Sequence, residues 1–270
     1  KRRIETRLRV GREDERDGRA TIAATFPPRD LAMSNPPVAL ITGSTSGIGL
    51  AVAHGFAKAG YAVMLNGLGS QAQIDDARSQ VGAHGGEVDF HPADLSQADQ
   101  IEAMVRATEA RFGQIDVLVN NAGIQHTARI EDFPIEKWNA VIAINLTAAF
   151  HAQRLALPGM QARGRGRIIN IASVHGLVAS VEKSAYVAAK HGILGLTKVC
   201  ALENAESGIT CNAICPGWVL TPLVQKQIDA RAEREGLSNA DAERALLVEK
   251  QPSLRFTRPE DIAGTAVFLC

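Results

Sequence analysis

The chain has 270 residues, 46% of them hydrophobic and 21% charged, which is ordinary globular content. Its 29 basic and 29 acidic side chains cancel, excluding a nucleic-acid surface, and no apolar run approaches the roughly 20 residues of a bilayer-crossing helix. Its four cysteines do not resemble a secreted disulfide framework, and they fit a reducing, cytoplasmic setting.

Residues 1–32 stand apart. Their opening run, KRRIETRLRVGREDERDGRA, mixes both signs of charge without an apolar period and reads as a disordered or non-native extension. It has no apolar core for a signal peptide. The segment holds nine of the 29 basic and six of the 29 acidic residues, leaving 20 against 23, or −3, for residues 33–270. That balance again predicts no polyanion partner.

From residue 38 short β-branched runs alternate with longer amphipathic stretches. Strands are predicted at 38–42, 62–65, 87–91, 116–120, 166–171 and 209–214. Helices are predicted near 47–59, 71–83, 97–112, 135–162 and 184–206. Alternation of this kind implies right-handed crossovers and a parallel sheet covered on both faces, a Rossmann-like, doubly wound α/β fold of three layers. Runs such as VALIT and RIINIA suit strands buried on both sides. Residues 218–250 carry no strand signal and read as a two-helix lid over the carboxyl ends of the strands, where such sheets bind ligands. The chain stops at Cys270 inside an apolar helical pattern and reads as cut before a last strand, so 33–270 is expected to be one truncated catalytic domain.

The first strand leads into Gly43, Ser44, Thr45, Ser46, Gly47, Ile48 and Gly49, and then a helix. Glycines are needed where backbone turns sharply, meets a pyrophosphate and packs helix on strand, and the helix N-terminus faces the phosphates. The second strand ends Asn66-Gly67-Leu68-Gly69, with neither an acid for the ribose hydroxyls nor a cation for a 2′-phosphate. That favours NAD over NADP. Asp94, followed by Leu95, either accepts from the adenine amino group or serves a helix N-terminus. Cys211 and Cys215 have C-x-x-x-C spacing without a matching His or Cys pair, so buried thiols are favoured over zinc and no metal is expected.

Tyr186 and Lys190, four apart in SAYVAAKHG, share one face of a helix, and Ser173 ends the fifth strand. A phenol titrates near pH 10, but a neighbouring ammonium favours its phenolate and makes it a usable base. A serine hydroxyl can bond the substrate oxygen as charge develops there. Together with TGSTSGIG, Asn120-Asn121-Ala122-Gly123, Asn145 and Pro216-Gly217, this set resembles the short-chain dehydrogenase/reductase family over 38–270. The resemblance implies that Tyr186 is the general acid/base and that Lys190 holds the nicotinamide ribose and lowers the tyrosine pKa. It also implies that Ser173 positions the carbonyl and that Asn145 anchors a water in a proton relay. Asn121, Ala122 and Gly123 would line the adenosine side, and Val219 and Thr221 the nicotinamide. A homotetramer and a seventh strand beyond residue 270 are implied too.

A narrower set, including the residues around Gln125, IEDFPIEKW, SVHGLVAS, ICPGWV and EKQPS, resembles the branch formed by the bacterial D-3-hydroxybutyrate dehydrogenases. It implies a hydroxy or keto acid substrate whose carboxylate is held by Gln125, His175, Lys183 and Gln227. Lys183 lies three residues before Tyr186 and His175 two beyond Ser173, and both can donate to an anion. Trp218 either walls the pocket or anchors the lid. The alternatives are a 3-oxoacyl thioester reductase or a sugar dehydrogenase of the same family, neither needing this anion clamp, and a non-catalytic dinucleotide-binding regulator. A regulator should have lost one of Ser173, Tyr186 or Lys190.

Overall fold

The computed structural model describes residues 36–270, so the reading of 1–32 as an extension lies outside the described residues. The strands and helices follow one another as β1 (Val38–Ile41), α1 (Gly47–Lys58), β2 (Ala62–Asn66), α2 (Gln71–Gly82), β3 (Val88–His91), α3 (Ala98–Phe112) and β4 (Val117–Asn120). Next come α4 (Ile135–Ile142), a π turn (Ala143–Thr147), α5 (Ala148–Arg163), β5 (Gly166–Ile171), α6 (Ser184–Glu203) and β6 (Ile209–Ile214). Helices α7 (Pro222–Glu235), α8 (Asn239–Lys250) and α9 (Pro259–Phe268) complete the described residues.

All strand pairs are parallel, in the order β3-β2-β1-β4-β5-β6, giving the Rossmann-like α/β sheet that the alternation predicts. The order reverses between β1 and β4, which opens a crevice at their carboxyl ends. Strands β1, β2 and β4 are buried at every residue because helices cover both faces. One face packs Val52 and Phe56 of α1 and Ile262 of α9 against Ile41, Val63 and Val119. The other packs Met104 of α3 and Met160 of α5 against Leu40, Leu118 and Ile168. Burying each such side chain contributes about 1.5–3 kcal/mol, which is why these short strands hold without local propensity alone.

One expectation changes. The stretch 135–162 forms a continuous helical run, Ile135–Arg163, of 29 residues, long and apolar enough by length and composition to cross a membrane. Of its buried residues, Ala148, Ala152, Ala156 and Met160 join the core on the sheet, which accounts for the apolar content. The run is also not uniform: the π turn inserts an extra residue at Asn145. Cys211 and Cys215 lie four residues apart along an extended segment, about 13 Å, too far to share one ion. Cys211 instead lies against Cys200 of α6 in the core.

The segment 218–250 contains α7 and α8, each begun by a side-chain cap, Thr221 to Val224 N–H at 3.4 Å and Ser238 to Asp241 N–H at 3.1 Å. Val224, Ile228, Ala232 and Ala242 form its own small core. Its two ends meet. Trp218 N–H donates to Gln251 Oε1 (2.8 Å), Thr257 N–H donates to Trp218 O (2.9 Å), and Val219 bridges Thr257 in parallel.

Candidate active site

The carboxyl end of β1 turns sharply at Gly43, which has φ +61° and whose missing Cβ would lie 2.8 Å from Ala122 Cα. A Cβ on Gly49 would stand 2.2 Å from Gly43 O, so only glycine lets α1 start this close to the strand. The turn is held from both sides. Asn121 Nδ2 donates to Thr42 O and Gly43 O, both at 2.9 Å, and Thr42 Oγ1 accepts from the N–H groups of Asn121 (3.0 Å) and Ala122 (3.1 Å). On the other side Asn66 Oδ1 accepts from Gly43 N–H (3.3 Å), while its amide donates to His91 O and Ala93 O, both at 3.0 Å. Asn66 therefore ties β1, β2 and β3 together at the cleft. An asparagine closing an apolar strand was the available signal for it, and the sequence reading passed over it.

A cleft of about 420 Å³ opens here. Gly43, Thr45, Ser46, Gly47, Ile48, Gly49, Leu68, Asp94, Leu95, Asn121, Ala122, Gly123, Asn145, Ser173, Tyr186, Lys190, Pro216, Gly217, Val219 and Thr221 all line it, as does Asn66. The glycine cradle, the bare N-terminus of α1 and the elongated cleft fit a dinucleotide. Asp94 is not the cap of α3, which begins at Ala98 after Gln97; one of its oxygens accepts from Ser96 N–H at 2.9 Å. The helix-terminus reading of Asp94 is thereby corrected: the chain needs an extra turn before α3 starts.

Ser173 lies two residues past β5 and is buried; its Oγ accepts from His175 N–H at 3.1 Å. His175 lies in the 3₁₀ turn Val174–Gly176 rather than on a strand register, and this places its ring 6.0 Å from that of Tyr186. Tyr186 is hydrogen-bonded to Ser173. Lys190, only 3% exposed, donates from Nζ to Ile171 O at 2.8 Å and lies 5.6 Å from the Tyr186 ring centroid. Burial draws the Lys190 ammonium down to about 8, opposed by Cys215. Burial also pushes the Tyr186 phenol above its ordinary value, with the Ser173 hydrogen bond opposing. In the chain by itself desolvation thus outweighs the help expected from the ammonium, because Nζ is aimed at a backbone carbonyl.

Asn145 is buried in the π turn, and its Nδ2 donates to Ile124 O and Val141 O, both at 2.9 Å. Its side chain fixes the β4–α4 loop that carries Gly123. Gln125 is half-buried two residues further along that loop. Lys183 is the residue that precedes α6, at its N-cap position; it is buried, with Nζ 3.5 Å from Gln227 Oε1 and 5.4 Å from the Trp218 ring centroid. Trp218 thus meets both readings, packing on the small core of α7 and α8 and covering Lys183. Lys183, Gln227 and Trp218 form one cluster, and His175 and Tyr186 another beside the cleft.

The family model described as "short chain dehydrogenase" matches residues 37–232. Among curated proteins, the D-beta-hydroxybutyrate dehydrogenase of Cupriavidus necator is 58% identical over 88% of this chain and 92% of its own length. That of Rhizobium meliloti is 52% identical over 86% of this chain and 90% of its own. Among solved structures, an actinorhodin polyketide ketoreductase with NADPH superposes with a TM-score of 0.82 at 36% identity, over 87% of this chain and 90% of that one.

Proposed function

Because the chain belongs to the short chain dehydrogenase family, oxidoreductases that act on a hydroxyl group with a nicotinamide dinucleotide, we propose that it oxidises D-3-hydroxybutyrate to acetoacetate using NAD. The observation that carries the substrate is the buried ammonium of Lys183, set between Gln227 and Trp218 at the N-terminus of the helix that holds Tyr186. An ammonium held at this end of the helix can donate a charge-assisted hydrogen bond to the carboxylate of a short hydroxy acid. The two bacterial relatives named for that reaction support the same choice.

In this reading the glycine cradle would hold the dinucleotide, which would supply the hydride acceptor. Tyr186 takes the hydroxyl proton at Oη, Ser173 Oγ donates to the substrate oxygen, and the Lys190 ammonium favours the phenolate. The proton then leaves by the relay that includes Asn145. Gln125, His175, Lys183 and Gln227 hold the carboxylate. The uncharged end of β2, Asn66 to Gly69 with Leu68 71% exposed, offers no partner to a 2′-phosphate and supports NAD over NADP. The same reading makes residues 33–270 one catalytic domain and puts the chain in the cytoplasm as a homotetramer. Its four cysteines carry no disulfide, which suits that compartment.

The test is NAD reduction with D-3-hydroxybutyrate beside NADP and beside Tyr186→Phe. NAD-linked turnover that falls by about 10²–10⁴ in the variant supports the reading. A folded protein that reduces NAD with other secondary alcohols but never with 3-hydroxybutyrate refutes the substrate.

A further inference from the structure

We infer that Asn170, a residue with no contact to the cleft, is a positioning residue that sets the rotation and register of α6 and so aligns Tyr186 and Lys190 with Ser173. The inference rests on the roles proposed above for Tyr186 and Lys190. Asn170 lies on β5, three residues before Ser173, and is fully buried. Every hydrogen-bonding position of its amide is used. Oδ1 accepts from Asn120 Nδ2 of β4 (2.8 Å) and Gln153 Nε2 of α5 (3.1 Å). Nδ2 donates to Thr197 Oγ1 of α6 (2.8 Å) and lies 3.7 Å from Cys211 Sγ of β6. One side chain therefore joins two neighbouring strands and two helices, α5 and α6, of the layer beneath the cleft.

The link to α6 bears on the chemistry. Thr197 is seven residues after Lys190, within about 20° of the same helix face and about 10 Å along the axis. Thr197 Oγ1 in turn donates to Ile193 O at 2.7 Å, which fixes its rotamer and leaves its lone pair for Asn170. Lys190 makes the matching contact higher up the same pair of elements, from Nζ to Ile171 O at 2.8 Å. Two polar anchors, at Asn170 and at Ile171, thus hold α6 on β5 along one face. With a single anchor the helix can roll, and the Tyr186 hydroxyl, far from the axis, moves most. Apolar packing alone tolerates such rolling, because dispersion contacts are not directional.

The experiment replaces Thr197 by Val, which keeps shape and removes the acceptor, and by Ser, which keeps the hydroxyl. Two readouts are used. One is steady-state oxidation of 3-hydroxybutyrate. The other is the tyrosinate absorbance titration of the cofactor-free protein in a Tyr61→Phe background, which leaves Tyr186 alone because the chain has two tyrosines. The titratable groups facing Tyr186 are His175 and Lys190, with Cys215 beside Lys190. For Thr197→Val we expect kcat to fall about tenfold, as for a slight misplacement of reacting groups. KM should stay within about twofold, because no binding group is touched. The Tyr186 midpoint should move to higher pH as the Ser173 hydrogen bond that lowers it is lost, and Thr197→Ser should restore both. Asn170→Asp, which keeps the acceptor for Asn120 and Gln153 and loses the donor, should shift the same midpoint if the Val variant folds poorly. A lower melting temperature with kcat and midpoint unchanged would reduce Asn170 to a core hydrogen-bonding residue. A wild-type chain inactive on 3-hydroxybutyrate would overturn the substrate instead, and the titration would still decide the role of Asn170.

Discussion

Replacing Lys190 by Met tests the central electrostatic feature of the site, a buried ammonium kept for chemistry at the expense of stability. Burial lowers its pKa from 10.5 to about 8, which corresponds to about 3 kcal/mol of destabilisation by the charged form at neutral pH. Between pH 8 and 10.5 the unfolded lysine still binds its proton and the folded one has lost it, so stability rises with pH across that window. The parent chain should gain about 3 kcal/mol there relative to Lys190→Met, whose side chain does not titrate. All other groups cancel in that difference. At pH 7 the variant should be close to the parent, since relief of the buried charge is offset by about 1–3 kcal/mol for the unpaired Ile171 carbonyl. Urea unfolding of both proteins from pH 7 to 10.5 measures this, and at 2–4 °C per kcal/mol a thermal scan should show roughly 10 °C of relative change. Stability curves that stay parallel across the window refute the buried-ammonium argument.

Gly49→Ala should abolish dinucleotide binding, read by quenching of reduced-cofactor fluorescence, and destabilise the fold by about 1–3 kcal/mol, because its Cβ would stand 2.2 Å from Gly43 O. Lys183→Met should raise KM for 3-hydroxybutyrate about a hundredfold, in line with loss of one charge-assisted pair, while cofactor affinity stays put; equal KM values would remove Lys183 from the carboxylate site. Leu68→Arg should shift preference toward NADP by about tenfold in kcat/KM, since the guanidinium then meets a 2′-phosphate at the rim of the cleft.

The fold was legible because its signals are local and redundant. Strands β5 and β6 match the predicted spans at both ends, and the other four differ by one residue at an end, as apolar runs bounded by turn residues allow. The π turn around Asn145 was not legible, since one inserted residue leaves the apolar period of 135–162 intact. Asn66 and Asn170 escaped for a shared reason. A polar residue at the end of an apolar strand, or inside one, carries no local mark of its partners, and only the fold reveals which distant backbone or amide uses it.

The way the segment over the cleft is joined to the body has a consequence for divergence. Trp218 and Val219 at its start lie against Gln251 and Thr257 at its end, so its two ends stand side by side, between β6 and α9. Closing such a loop costs entropy that grows only with the logarithm of its length, about 0.6 kcal/mol per doubling. Helices α7 and α8 can therefore lengthen, shrink or be exchanged at their tip with little penalty to the sheet below. One catalytic floor could then serve many substrates through inserts of different size, each carrying its own counterpart of Gln227.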